Sequence, residues 1–156
     1  MDLLIELALT GRIGPVRAGM PLSEAEALLG PGRPHPMLRM RPDADGYPYF
    51  WGSLSLEVSG GEVTRVELRL RPGTRLELPA ALGSRHDGAS AEVAREEFLG
   101  ALKEAGCSFE ADDQSAVSGQ SSVTTQAGTT AFFVEFSASE SVQVAGYYLV
   151  SLHNRG

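Results

Sequence analysis

At 156 residues, with 42% apolar and 21% charged side chains, the chain has the make-up of a globular domain long enough to bury a core. No window approaches the roughly 18 uninterrupted apolar residues of a membrane span; with acids near the start of Met1-Asp2-Leu3-Leu4-Ile5-Glu6 where a secretory signal carries base, no targeting segment is read and a cytoplasmic location is expected. The net charge of −7 is uneven, since residues 1–86 carry ten basic and ten acidic residues and residues 87–156 three against ten, which argues against binding a phosphate backbone and leaves either a solvating acidic face or a surface that steers in a basic protein partner.

A short helix is expected over 2–9, stopped at Gly11, followed by an irregular or extended approach over 14–19. In "GMPLSEAEALLGPG" (19–32), Ser23 and Glu26 have the spacing of a capping box, Gly30 supplies a left-handed exit and Pro31 ends the helix. The glycines lack the spacing and the lysine of a phosphate loop, and Glu24 and Glu26 would repel an anion at that helix end. Residues 31–48, with five prolines, read as irregular, and Asp45-Gly46 reads as a turn without the ligand spacing of a calcium loop.

"YFWGSLSLEV–SGG–EVTRVELRL" then reads as a hairpin. Alternation puts Phe50, Leu54, Leu56 and Val58 on one face and Thr64, Val66, Leu68 and Leu70 on the matching face of the return strand. A three-residue loop, Ser59-Gly60-Gly61, closing a Val58–Glu62 pair brings both sets to one side. That register sends Tyr49 and Trp51 outward and sets Trp51 opposite Arg69, Tyr49 opposite Arg71 and Ser55 opposite Arg65. Such a ladder is either self-stacked, or an interface hot spot, or covered by the 31–48 segment or the second half of the chain.

Residues 72–89 read as a linker, and Ser90 as the N-cap of a helix over 91–105 that ends at Gly106. Cys107, the sole cysteine, precludes an internal disulfide and reads as a small buried hydrophobe or a reactive thiol. Strands are expected over 107–112, 121–126, 130–137 and 142–152, with Asp112-Asp113 at a strand end. His35, His86 and His153 lie far apart without a second ligand at metal spacing, and no nucleophile motif or carboxylate pair stands out, so no metal, cofactor or catalytic residue is assigned. Twelve of the 13 basic residues are arginine, the pattern of a GC-rich bacterial genome.

The expected fold is α+β: antiparallel sheet built from hairpins, with two main helices on one side, in a single domain of similar halves at 1–71 and 90–156. Gly19-Met20, Leu29-Gly30 and Gly61, with the aromatic strand and "SLSLEVSGGEVTRVEL" between 14 and 71, resemble the "GM…LLG.P" unit of two families. These are the small-protein-A/outer-membrane lipoprotein family and the beta-lactamase-inhibitor-protein family. The resemblance implies a helix-plus-strands unit and a scaffold for binding proteins, not a catalyst; the second half departs from it in having no "GM" start, and the chain has no lipoprotein cysteine. The leading expectation is a non-enzymatic protein-binding module of the immunity or inhibitor kind, with Tyr49, Trp51, Arg65, Arg69 and Arg71 or the acidic second half in contact. The alternatives are a small-ligand binder or enzyme with a pocket between helices and sheet, and a homo-oligomer paired through an edge strand.

Overall fold

A computed structural model describes residues 1–82, 88–112, 119–138, 142 and 144–155. His86, Asp113 and the middle of the 72–89 segment lie outside the described residues. In chain order the elements are α1 (Asp2–Thr10), β1 (Arg12–Ile13), β2 (Val16–Arg17), α2 (Leu22–Leu29), β3 (Arg33–Pro34), α3 (Pro36–Met40), β4 (Tyr47–Trp51), β5 (Leu54–Ser59), β6 (Glu62–Arg69), α4 (Arg95–Glu104), β7 (Phe109–Asp112), β8 (Gln120–Thr125), β9 (Thr129–Phe136) and β10 (Gly146–Arg155). The fold is α+β. Apart from the small β1–β2 hairpin, the strands form one antiparallel sheet of eight, ordered β3-β4-β5-β6-β10-β9-β8-β7.

Period-2 burial shows which face of this sheet is covered. Leu54 and Leu56 of β5, Val66 and Leu68 of β6, Leu152 of β10, Ala131 and Phe133 of β9 and Val123 of β8 are all buried. Leu3, Leu4 and Leu7 of α1 and Phe98 and Leu102 of α4 join the same core, with the Phe98 and Phe133 rings 5.9 Å apart. Two threonines lock α1 onto the sheet. The hydroxyls of Thr125 and Thr129 donate to the carbonyls of Ala8 and Leu7 at 2.7 and 2.9 Å; the first satisfies an acceptor that the helix C-terminus leaves open, and the second adds to the bond that Leu7 already takes from the Gly11 N–H.

Several expectations are corrected here. The predicted hairpin is a three-strand meander, because Gly52 turns the chain between β4 and β5 at φ 61. A Cβ at Gly52 would clash with the Glu77 carbonyl, so the turn is pressed against the segment that follows β6. The turn reverses the alternation: Trp51 joins the core face beside Leu54, and Phe50 faces the other way. The β5–β6 loop is two residues, Gly60-Gly61, both at positive φ, closing a Ser59–Glu62 pair, as the right-handed twist of a hairpin favours. Thr64 is an extra residue between the Val58–Val63 and Glu57–Arg65 pairs, which buries Val63 and exposes Thr64.

Ser23 is not the cap of α2, which starts from Pro21 two residues earlier, where Pro21 bridges Glu62 and the Leu22 N–H donates to Gly61. Glu26 reaches forward to accept from the Gly32 N–H at 3.2 Å. Gly30 leaves the helix at φ 80, ψ 175, a positive φ outside the left-handed helical basin. Residues 12–17 form a hairpin, and the proline-rich segment holds β3 and α3. Ser90 accepts from the Glu92 N–H instead of capping α4. Residues 93–94 stay extended because they pair with β10, the Leu149 N–H donating to Val93 and Ala94 bridging Tyr148. β10 starts at Gly146, and a bulge between Leu149 and Ser151 lets Leu149 and Leu152 share the buried face.

Candidate functional site

The face of the sheet opposite the core carries the features that the sequence placed elsewhere. One cross-strand row runs through all eight strands: Arg33, Phe50, Ser55, Glu67, His153, Thr130, Thr124 and Glu110. A neighbouring row runs Arg69, Ser151, Phe132, Ser122 and Asp112. The first row leads from Arg33 on β3, past Glu67 at the centre, to Glu110 on β7, and the second from Arg69 on the central β6 to Asp112 on β7. A face so built is electrostatically graded along its width.

Its aromatic content is supported from within. The guanidinium groups of Arg33 and Arg69 lie 5.8 and 5.3 Å from the centre of the Phe50 ring. Arg69 Nε also donates to Glu67 Oε2 at 3.0 Å, while the Ser55 hydroxyl donates to the same oxygen at 2.9 Å. Arg65 pairs with Glu57 at 3.3 Å. Further along, the Phe132 ring stacks on His153 at 5.5 Å and is 39% exposed. The result is an ordered surface of aromatic and arginine side chains, the residue types on which interface energy concentrates.

The sequence-predicted residues fall into two groups. Trp51 is 8% exposed, and its indole N–H donates to the Gly30 carbonyl at 2.9 Å. Gly32 lies so close to its ring that a Cβ there would approach Cζ2 to 2.5 Å. Tyr49 is half-buried on the same face. The structure therefore takes Tyr49 and Trp51 off the surface and gives the partnership with Arg69 to Phe50. Arg65 and Arg69 stay on the open face, but Ser55 sits opposite Glu67 and Arg65 opposite Glu57. Arg71 is exposed just beyond β6 and opposes neither aromatic. Phe132 was readable as an outward residue of an alternating strand, yet Phe133 beside it offered the same signal with the opposite sign.

Elsewhere the chemistry is quiet. His35 Nδ1 accepts from the Met37 N–H at 3.2 Å, and its ring stacks on Tyr47 at 5.2 Å. Cys107 is half-buried against the core, and burial pushes its thiol up, which favours the unreactive protonated form. Among the described residues no cluster of three metal-ligating side chains forms and no helix is long and apolar enough to cross a membrane. No protein-family model matches the chain, and no curated protein or solved structure matches it either.

Proposed function

We propose that the chain is a non-enzymatic protein-binding module that docks a partner protein against the open face of its sheet. The observation that carries this reading is the one-sided sheet: helices cover the Trp51 face, while Phe50, Phe132, Arg33 and Arg69 are set out on the other. Eight strands about 4.8 Å apart span roughly 34 Å, room enough for a standard interface of about 800 Å² per partner. The graded charge suits a partner that meets Glu110 and Asp112 with basic groups, in keeping with the acidic excess of the second half. The resemblance of residues 14–71 to inhibitor-type scaffolds supports an immunity or inhibitor role in the cytoplasm of a bacterium.

The test is a photo-crosslinking residue placed at Phe132, with a control at the exposed Leu28 of α2, in cells of the source organism. A single protein joined at position 132, and lost with an Arg33→Ala/Arg69→Ala variant of unchanged melting temperature, supports the reading. Crosslinks at Leu28 alone, or a partner that binds the double variant fully, remove the open face from consideration. A crosslink between two copies at position 132 replaces the foreign partner with a homodimer, which would overturn the inhibitor role.

A further inference from the structure

A second site lies on the opposite side of the sheet, where α4 begins. A cleft of about 460 Å³, within the range of small-molecule sites, opens between Ala94–Glu96, Ser121 of β8 and residues 144–148. Its wall is mostly apolar: Val144, 68% exposed, stands at the rim, and the Tyr147 ring lines the side. The Tyr148 hydroxyl donates to the Val144 carbonyl at 2.7 Å and so ties the rim to β10.

Its inner end is polar and incompletely satisfied. α4 is ten residues long and has no side-chain cap. Its first turn leaves the backbone N–H groups of Glu96 and Glu97 without an acceptor among the described residues, the first intrahelical bond being from the Phe98 N–H to Ala94. Ser121 is 4% exposed, and its Oγ has no hydrogen-bond partner. A buried hydroxyl without a partner is costly, and a bound acceptor would remove that cost. The Arg95 guanidinium crosses the Phe133 ring at 6.0 Å and holds Glu96 Oε1 at 3.0 Å. That glutamate side chain is 85% exposed, and Glu96 lines the cleft together with Arg95.

We infer that this cleft binds a small carboxylate with a flat apolar body, of the aromatic-acid class. The carboxylate would take the open N–H groups of α4 and the Ser121 hydroxyl, and the ring would lie along Tyr147 beneath Val144. Glu96 and Glu97 oppose an anion, so the selectivity rests on the directed donors, not on net charge. None of Arg33, Phe50, Arg69 and Phe132 lines this cleft, and its success or failure is independent of the docking proposal.

Benzoate is the probe, with benzamide as its neutral analogue and acetate as the carboxylate without a ring. Binding to the full chain is followed by backbone amide NMR shifts. Benzoate is expected to shift the amides of residues 95–97, 121 and 146–148 saturably, with benzamide and acetate each weaker by roughly tenfold. Ser121→Ala is expected to keep the melting temperature, since the hydroxyl has no partner in the free protein, and to weaken benzoate by roughly tenfold. No saturable shift at roughly 10 mM benzoate, equal binding of the acid and the amide, or undiminished binding by Ser121→Ala would each overturn the inference.

Discussion

At the scale of single residues, the decisive fact is which aromatic side chain of the "YPYFW" strand lies in the core. Trp51 does, with a hydrogen-bonded indole and Gly32 against its ring, so its removal acts through stability. Trp51→Ala is expected to cost about 3–5 kcal/mol in urea unfolding, whereas Arg69→Ala, on a half-exposed ion pair, should stay within about 1 kcal/mol. A Trp51→Ala protein as stable as the parent would mean that the indole is not packed as described. Asp45 shows residue-scale electrostatics at the β5–β6 turn. The Ser59 hydroxyl and then the Gly60 N–H donate to its carboxylate, at 2.5 and 2.9 Å, and hold its pKa below the ordinary aspartate value. A depressed folded value means that this stabilisation is whole above the unfolded aspartate's pKa and is lost as pH falls from there through the folded value. Carboxyl NMR should show Asp45 titrating below a free aspartate, and Asp45→Asn should flatten that part of the acid-stability curve.

At the scale of elements, the contacts that decide geometry are the ones far apart in sequence. Thr129 is an example: its hydroxyl donates to Leu7 and also accepts from the Asn154 side chain at 3.3 Å, joining α1, β9 and β10. Thr129→Val keeps the shape and removes both bonds of the hydroxyl, but the Leu7 carbonyl retains the Gly11 N–H and the Asn154 amide retains the Ala127 carbonyl, so a loss of about 0.5–1.5 kcal/mol is expected, read as a fall in melting temperature. The helices α1 and α2, the strands β5 to β9 and the α+β class were legible in the sequence because period and turn residues are local signals. What was not legible has one cause in each case. The four residues before α4 look helical, yet β10 pairs with them, and that pairing lies more than fifty residues away. Thr64 breaks the alternation of β6 without any glycine or proline to announce it. Gly52 did announce the β4–β5 turn, but apolar residues on both sides at even spacing concealed the change of face. The open face followed from that single error: with Trp51 turned out, the arginines acquired the wrong aromatic partner, although two of them, Arg65 and Arg69, kept the correct side.

At the scale of the whole molecule, the sheet order puts the last strand of each half, β6 and β10, together at the centre, and the short strands β3 and β7 at the rims. Both flanks of the central pair are hydrogen-bonded and its core face is covered, whereas three of the four β7 residues are exposed. Stability should therefore fall from the middle outward, since local opening is cheapest where few buried contacts are lost. Amide hydrogen exchange is expected to give the paired positions of β6 and β10 protection close to that of global unfolding, and those of β7 a value lower by a few kcal/mol. The gradient bears on docking. His153, Glu67 and Ser55 stand on the rigid centre, while Glu110 stands on the rim. A partner bound across the whole face would raise protection at β7 far more than at β6, where little local opening remains to be suppressed. If β7 is already as protected as β10 in the free protein, the rim is held by something other than its ladder with β8, and the proposed face is narrower than eight strands.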